Sequence, residues 1–529
     1  MTKKALAIIS FWGLIISYIL INRLQVSNFT VFNNVSEEDT VTIKNTLCES
    51  ERLSFTALLC NEIRIPFDDE GKTFYVSLDM EETLWETLKF ESGQAEYQVM
   101  FQEDITKYDK QKLISQGKKI PIIIYDDSQW ATYYVVFSGL PLIDLATEEG
   151  FWLEEIQGNA VFYDVDFSKN GTKESAYNGH IRGNTSRMFP KKGYKLNLTM
   201  DGADGTAVNN KQALFGMRED DDWILYAMYN DDTKIRDALS MQVWEEIGAY
   251  QGGEKSYYGP KITYVELFAD NCYHGLYALM EPVDAKQLNL QEEDYLYKRK
   301  SSGGFNYDSF VAETNPYIEL NGFEIKAGIM DEFAWQPIAE LARLTYGSEE
   351  EFDYRIRNTM NLDSGMRMWL FAQIITGHDH TAKNVFYIAK NEEEGYKFYF
   401  APWDMDLTWG NVSVGEVNPH YTEYEPLTVD DRVYWDAMDR AIDLNTHGIT
   451  EKMQKLYKEL RSTTLTNERI VDMIYQLDSR LRRAGAYTRD VERWPDAAHV
   501  DTCFELERYA VSRLEFLDKA LYNFECFAD

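Results

Sequence analysis

One aspartate and one asparagine of this chain have the types and the spacing for proton and metal chemistry. Asp379 and Asn384 stand five residues apart in the run GHDHTAKN, residues 377–384. A carboxylate at the first position can accept or orient the proton of a hydroxyl group, and the amide oxygen at the second can bind Mg²⁺. A capping aspartate with a turn asparagine explains the same pair, so the residues around it must decide.

Two further carboxylates follow the β-hairpin that the sequence predicts next. Asn384–Lys390 and Tyr396–Ala401 alternate apolar and polar residues, and residues 402–406 then read PWDMD. In an extended chain Asp404 and Asp406 point to the same side. Such oxygen ligands suit Mg²⁺ or Mn²⁺, and a solvated acidic edge is the alternative. The order of aspartate, asparagine, hairpin and aspartate is that of the carboxy-terminal lobe of a kinase.

A basic segment earlier in the chain has a composition that suits phosphate binding. Residues 182–195 read RGNTSRMFPKKGYK. Gly183 permits close approach of the backbone, and Arg182 with Lys192 or Lys195 can pair with phosphate oxygens. The segment matches neither of the common phosphate loops, GxxxxGK[ST] and GxGxxG. An exposed basic hairpin is the alternative, and the choice between the two lysines stays open.

The amino-terminal part of the chain, residues 24–150, is predicted to be a β-rich accessory domain. Apolar and polar residues alternate over short runs such as 72–78 and 120–125, which is the pattern of half-buried strands. This part contains no group of residues with the spacing of a catalytic site, so its sequence indicates a spacing or docking role and no chemistry.

Residues 151–297 are predicted to form a mixed lobe, with strands before and after one helix. The helix carries apolar residues at fourfold spacing from Ile235 to Ile247. The aspartates at 231–232 can cap its start, and Gly248 can end it. This lobe contains the basic segment.

The rest of the chain is predicted to be a connecting segment, residues 298–331, followed by a mainly helical lobe, residues 332–529. Helices are predicted over Ile449–Leu460, Glu468–Arg483 and Cys503–Phe524. The predicted hairpin interrupts this lobe and brings its acidic residues with it. The expected fold class is therefore α+β.

The net charge of the chain limits the classes of molecule that it is expected to bind. The 529 residues include 53 basic and 88 acidic side chains, which gives a formal net charge of −35. An extended polyanion is repelled by such a surface, so DNA and RNA are excluded as expected partners. The five cysteines include no CxxC pair and predict no zinc site. Cys48 with Cys60, and Cys503 with Cys526, could form disulfides, and buried free thiols are the alternative.

The first residues have the features of a membrane anchor. Lys3 and Lys4 precede an apolar stretch from Ala5 to Ile21. Its length exceeds that of a usual signal-peptide core, so residues 1–23 are predicted to be an uncleaved anchor, with a cleaved signal as the alternative. The positive flank stays in the cytoplasm, which places the remaining chain outside it.

Together these segments resemble the CotH family of atypical secreted protein kinases. The resemblance extends over about residues 155–525 and is carried by motifs at 182–194, 222–225, 275–281, 379–384 and 402–406. It implies a two-lobed kinase-like fold, ATP with Mg²⁺ or Mn²⁺, and phosphorylation of serine or threonine in secreted or spore-coat proteins.

The resemblance also implies roles for single residues. Asp379 is expected to be the catalytic aspartate. Asp404 is expected to be the principal metal ligand, joined by Asn384, and Asp406 can share that role. Arg182 and one of the lysines of the basic segment, with Lys192 as the first choice, are expected to hold the nucleotide phosphates.

The expected function is transfer of the γ-phosphate of ATP to an extracytoplasmic or spore-coat protein. A basic, serine-rich coat protein would complement the acidic surface. The expected location is a membrane-anchored position outside the cytoplasm, with the spore coat or the forespore surface as the alternative. The alternative is a kinase-shaped protein without activity that serves coat assembly or adhesion, because fold does not fix function.

Overall fold

The computed structural model describes residues 37–523, apart from 56, 152, 166, 168–170, 184, 203–204, 250–258, 302–304 and 412–431. The predicted membrane anchor, residues 1–23, lies outside the described residues. Within the described part, no helix is both long and apolar enough to cross a membrane. Helices and strands are both abundant there, which confirms the mixed α+β class.

The amino-terminal part is rich in strands, as the alternating sequence predicts. Its helices and 3₁₀ turns are Glu37–Thr46, Trp85–Thr87, Ile105–Lys107 and Lys110–Ser115. One sheet has the order Phe67–Asp68, Thr73–Ser77, Gln129–Ser138, Ile120–Tyr125 and Gln98–Phe101, with Cys48–Glu49 added beside Gln129–Ser138. A smaller sheet has the order Ile63–Arg64, Leu58–Cys60 and Phe90–Ser92. Phe268 and Tyr273 lie on the eight-stranded sheet described below, and they pack into the core of the amino-terminal part. The amino-terminal part and the eight-stranded sheet therefore share one apolar core.

The cysteines of the described residues form no disulfide. Cys48 is exposed and Cys60 is buried, so their pairing is wrong and the alternative of free thiols holds. The Cys503 thiol is buried 3.3 Å from Asp478 Oδ1. Its other candidate partner, Cys526, lies outside the described residues.

Eight strands form the second large sheet. Their order is Lys173–Arg182, Glu155–Tyr163, Leu142–Thr147, Ile262–Ala269, Cys272–Met280, Asp222–Tyr226, Gly193–Asp201 and Ala207–Asn209. Because Lys173–Arg182 also pairs with Gly193–Asp201, seven of the strands close into a barrel. Side chains such as Leu145 and Leu196 fill its interior.

Two smaller elements accompany the barrel, and one of its strands was assigned elsewhere from the sequence. The small elements are the turn Thr185–Met188 and the strand pair Gln212–Ala213 with Glu219–Asp220. The strand Leu142–Thr147 belongs to the barrel, whereas the sequence analysis placed it in the accessory domain. Alternation predicts that a segment is a strand, but it does not identify the neighbouring strand.

The helix Arg236–Ala249 connects the barrel to the helical part. Its apolar residues from Ile235 to Ile247 are buried, as their spacing predicts. They share one core with the helix Leu362–Ile375. At the start of the connecting helix, Asp231 accepts the backbone N–H of Arg236 at 2.9 Å, so one of the two expected aspartates contributes to its cap.

The helical part surrounds a four-stranded sheet. The order of that sheet is Phe323–Ala327, Tyr295–Arg299, Val385–Glu392 and Gly395–Pro402, and its last two strands are the predicted hairpin, here called the site hairpin. The helices are Tyr307–Ala312, Gln336–Tyr346, Glu349–Thr359, Leu362–Ile375, Asp379–Ala382, Asp436–Asp443, Ile449–Ser462, Asn467–Arg483, Ala486–Arg493 and Phe504–Asn523, with a 3₁₀ turn at Thr446–Gly448. The last helices agree with their predicted bounds to within a turn, because their apolar spacing is regular.

The helix Ala486–Arg493 returns from the helical part to the barrel. Its Arg489 forms a buried ion pair with Glu266 of a barrel strand, with Nε 2.8 Å from Oε1. Ser138 of the accessory sheet donates its hydroxyl to the same carboxylate. A buried pair with further hydrogen bonds is costly to break, so this junction fixes three parts of the fold against one another.

Candidate active site

Asp379 lies directly after the most buried helix of the helical part. The helix Leu362–Ile375 ends at Thr376, whose backbone is left-handed with φ of 54°. The Thr376 hydroxyl accepts a hydrogen bond from Tyr509 at 2.9 Å, which holds the bend in place. Asp379 then begins a single helical turn, and its Oδ2 lies 2.8 Å from Nζ of Lys383. The carboxylate is thus held by local contacts at the edge of a rigid helix.

The loops that carry Asp379 and Asp404 are joined by His380. Its Nε2 lies 2.8 Å from the backbone oxygen of Asp404. Because a carbonyl oxygen can only accept, this nitrogen carries the proton. Burial lowers the pKa of His380, which keeps the ring neutral. His380 therefore positions the backbone of Asp404.

Asn384 and Asp404 stand at the open end of the site hairpin. The last backbone pair of the hairpin is Val385 with Pro402, and the N–H of Trp403 then donates to the Asn384 oxygen at 3.0 Å. Asn384 has φ of 55° and Asp404 has φ of 65°. The left-handed region is one that asparagine and aspartate adopt more readily than most residues.

The strand does not continue through the acidic motif. The left-handed backbone of Asp404 ends the extended conformation, so the expectation that Asp404 and Asp406 point to one side of a strand is wrong. Both carboxylates nevertheless line the same cleft, because the turn carries Asp406 back toward the barrel. There the Asn230 side-chain amide donates to Asp406 Oδ2 at 2.8 Å.

The environment of Asp406 disfavours its charge. Burial, together with the charge of Asp404, raises its pKa to about 7. A bound divalent cation would relieve the repulsion between these two carboxylates, of which Asp406 has the Asn230 amide as a donor.

Asp237 is a member of this acidic group that the sequence analysis missed. It lies in the first turn of the helix Arg236–Ala249, and its Oδ1 accepts the N–H of Met405 at 2.9 Å. Its Oδ2 is buried and has no hydrogen-bond partner among the described residues. Burial and the charges of Asp406 and Asp404 raise its pKa well above the usual value. No local pattern marks Asp237, since an acidic residue in the first turn of a helix is common.

One cleft brings together five of the seven site residues that the sequence predicts. Its cavity of about 190 Å³ lies between the barrel and the helical part, and the predicted residues that line it are Arg182, Asp379, Asn384, Asp404 and Asp406. Lys383 lines it as well. Carboxylate, amide and guanidinium groups therefore face one space.

Lys192 and Lys195 lie away from this cleft. Lys192 donates to the backbone oxygen of Arg187 at 2.6 Å, and Lys195 pairs with Asp222 at 3.1 Å. They line two other cavities. Lys195 alternates along its strand with Tyr194 and Leu196, which fill the barrel, so its side chain is outside. The expectation that one of the two faces the cleft is corrected by this placement.

Other cations stand near the cleft. Lys191 lines it, although its side chain is fully buried and pairs with Asp490 at 2.7 Å. Arg182 and Lys298 both lie over the ring of Trp403, with the guanidinium carbon and Nζ each 5.3 Å from the ring centroid. Burial lowers the pKa of Lys298 to about 8, and the charge of Asp404 opposes that shift.

The donor set at the cleft fits a hard divalent cation. Asp404 and Asp406 offer carboxylate oxygens and Asn384 an amide oxygen, which are the ligands that Mg²⁺ and Mn²⁺ prefer. Within the described ranges, no lysine or arginine forms an ion pair with Asp237, Asp404 or Asp406. The buried Oδ2 of Asp237 without a partner agrees with a site that lacks a counter-charge of its own.

Comparison with known protein families identifies the family to which the chain belongs. A family model described as CotH kinase protein matches residues 180–517, which is more than half of the chain. The chain belongs to the CotH family. The CotH match runs from the strand that carries Arg182 to the last helix, so it contains every cleft residue named above. Among curated proteins, none matches the chain.

Proposed function

We propose that this CotH-family protein transfers the γ-phosphoryl group of ATP to a serine or threonine hydroxyl of a protein. The observation that carries the proposal is the convergence of Asp379, Asn384, Asp404, Asp406 and Arg182 on one cleft. These are the groups that a phosphoryl transfer requires: a proton acceptor, oxygen ligands for a metal and a cation for phosphate. The family description points to the same chemistry.

The barrel and the helical part correspond, in this proposal, to the two lobes of a kinase-like fold. The cleft lies where they meet, and the ion pairs of Arg489 with Glu266 and of Lys191 with Asp490 hold the two parts at a fixed distance. Such a fixed arrangement favours catalysis by positioning, since phosphoryl transfer needs little else from the protein.

Asp379 is the catalytic residue of the proposed reaction. Its carboxylate orients the acceptor hydroxyl and takes its proton as the oxygen forms a bond to the γ-phosphorus and the bond to the β,γ-bridging oxygen breaks. The Lys383 ammonium lies 2.8 Å from this carboxylate and holds it in position. ADP leaves with the electron pair of the broken bond.

Asp404, Asp406 and Asn384 are the residues that would hold Mg²⁺ or Mn²⁺. When bound, the metal ion neutralises charge on the phosphate oxygens. Asp237 fixes the backbone between the two aspartates through Met405, and Asn230 orients Asp406. Arg182 binds phosphate oxygens from the barrel side of the cleft.

The acceptor is proposed to be a basic, serine-rich protein. The formal charge of −35 attracts a cationic substrate and speeds its encounter with the cleft. Membership of the CotH family supports association with the spore coat. A membrane-anchored position outside the cytoplasm, through residues 1–23, is part of the same proposal.

The test is phosphate transfer from labelled ATP by the full-length protein, with Mg²⁺ or Mn²⁺, to a basic acceptor protein and to itself. Asp379→Asn and Asp404→Asn should each lower the transfer by at least about 100-fold, because each removes a group used in the transition state. Asp443→Asn, at an exposed aspartate of the helix Asp436–Asp443, is the matched control and should retain full activity. Absence of transfer by the unmutated protein would overturn the proposal and favour a kinase-shaped assembly protein.

A further inference from the structure

Two positive side chains over Trp403 lack a carboxylate partner: Arg182, which lines the cleft, and Lys298, which lies beside it. In the part of the chain that the structure describes, neither Arg182 nor Lys298 forms an ion pair, and both lie over Trp403. Acidic residues are abundant in this chain, with 88 against 53 basic ones. A shortage of carboxylates therefore does not explain why this pair has none.

The other lysines around the cleft are already neutralised. Lys383 pairs with Asp379 at 2.8 Å, and Lys191 pairs with Asp490 at 2.7 Å. Lys300, two residues after Lys298 in the chain, lies 3.0 Å from Glu319. Each of these lysines would have to leave a carboxylate in order to bind an anion, whereas Lys298 would not.

Contact with the tryptophan does not replace an anionic partner. Trp403 is almost completely buried, and Lys298 also lies 5.7 Å from the ring of Phe386. Cation–π contacts offset only part of the cost of removing an ammonium group from water. The lowered pKa of Lys298, about 8, reflects that burial. Such a lysine is poised for an anion that arrives from outside the chain.

The position of Trp403 defines which anion fits. Trp403 directly precedes Asp404, and its backbone N–H donates to Asn384. The two cations therefore stand beside the proposed metal ligands. A group that presents negative oxygens to the cations and to a divalent metal ion at the same time is a metal-chelated phosphate chain.

We propose that Lys298 and Arg182 form a phosphate-binding pair over Trp403, which holds the phosphate chain of the nucleotide beside Asp404. The inference rests on the proposed function in one respect, because it takes the phosphates to be those of the nucleotide. It assigns to Lys298, on the strand Tyr295–Arg299, the role that the sequence suggested for Lys192 or Lys195.

The experiment is calorimetric titration of the full-length protein with inorganic tripolyphosphate and with ATP, each in the presence of Mg²⁺. Lys298→Met should weaken both ligands about 10- to 100-fold, the range for losing a charge-assisted hydrogen bond. Lys298→Arg keeps the charge and should retain most of the affinity. Lys397→Met is the matched control, and its affinity should stay within about threefold because Lys397 does not line the cleft and pairs with Glu392.

A thermal melt without ligand separates binding from folding. Lys298→Met removes a partly buried charge without a carboxylate partner, so its melting temperature should equal or exceed that of the unmutated protein. The rise in melting temperature on adding Mg²⁺ and tripolyphosphate should be lost in this variant and kept in Lys397→Met.

The outcomes distinguish this inference from the proposed function. If Lys298→Met binds both ligands as the unmutated protein does, or if the unmutated protein binds neither, the inference is overturned. If the unmutated protein binds both and Lys298→Met does not, the inference stands, even when no phosphate is transferred to any acceptor. Binding without transfer would overturn the proposed kinase activity. The protein would then be a CotH-family protein that binds a nucleotide and does not transfer its phosphate.

Discussion

Two groups of three aspartates, one before the connecting helix in the sequence and one at the cleft, differ in whether the chain supplies a counter-charge. The ligand oxygens of Asp220, Asp221 and Asp222 lie within 4.8 Å of one another. Lys286 Nζ lies 2.7 Å from Asp220 and 2.8 Å from Asp221, and Arg218 pairs with Asp220 as well. The negative charge of this group is therefore neutralised by cations of the chain itself.

The group in the cleft, Asp237, Asp404 and Asp406, has only neutral donors. Met405 offers its backbone N–H to Asp237, and Asn230 offers its amide to Asp406. No cation of the described residues is in an ion pair with these three carboxylates. The cleft group is therefore open to a cation from solution, although its oxygens are less tightly clustered.

The pKa values of the aspartates differ between the two groups in the direction that the presence or lack of a counter-charge predicts. Burial acts to raise the pKa of Asp220, but Lys286 and Arg218 outweigh it and the pKa is lowered. Burial and the charge of Asp404 raise the pKa of Asp406 to about 7. Close packing of carboxylates alone therefore does not indicate a metal site in this protein, because the tightly packed group is neutralised by Lys286 and Arg218.

The largest effect is expected from removing Lys286, the cation that the chain supplies to the first group of aspartates. Lys286→Met should lower the free energy of unfolding by about 2 kcal/mol, because Asp220 and Asp221 stay buried without it. The figure lies below that of a fully buried pair because the Lys286 side chain is 43% exposed. Urea denaturation measures it, and Lys211→Met, at an exposed lysine, should change it by less than about 0.5 kcal/mol.

Neutralising one aspartate of the cleft group should raise the free energy of unfolding, whereas removing Lys286 should lower it. Asp237→Asn removes a buried charge next to two others, so the metal-free protein should gain about 1 kcal/mol in unfolding free energy. The same change should weaken Mn²⁺ binding about tenfold, since groups that support metal ligands contribute that much.

The control for this variant is Glu245→Gln on the exposed face of the same helix, which removes one negative charge at a distance from the cleft. It should alter neither unfolding nor Mn²⁺ binding. A less stable Asp237→Asn protein with unchanged Mn²⁺ affinity would mean that Asp237 is a structural residue.

The smallest effect is expected at Lys195, which pairs with Asp222 at the exposed margin of the first group. Lys195→Ala should lower the unfolding free energy by less than about 0.5 kcal/mol, as for other exposed ion pairs. ATP binding should be unchanged. A loss of ATP affinity would restore the role that the sequence suggested for this lysine.

The sequence predicted those features that depend on neighbours in the chain. Alternation located the site hairpin, regular apolar spacing located the helices, and the spacing of Asp379, Asn384 and Asp404 located the cleft. In each case the deciding residues lie within one or two adjacent elements.

Features that depend on packing between distant segments were not predictable in this way. Asp237 meets Met405 across 168 residues, and Lys298 meets Trp403 across the four-stranded sheet. The left-handed backbone of Asp404 depends on contacts such as the hydrogen bond from His380. Lys195 was misplaced because the phase of its strand is fixed by the closed barrel, and Lys192, just before that strand, donates instead to the backbone of Arg187.

Calorimetric titration with Mn²⁺ tests most directly the claim that the cleft group, and not the first group, is built for a divalent cation. The full-length protein would be compared with Asp404→Asn and with Asp221→Asn, which remove one carboxylate from each group. The account predicts that Asp404→Asn weakens binding by at least about tenfold while Asp221→Asn leaves it within about twofold. Binding that survives Asp404→Asn and is lost in Asp221→Asn would contradict it.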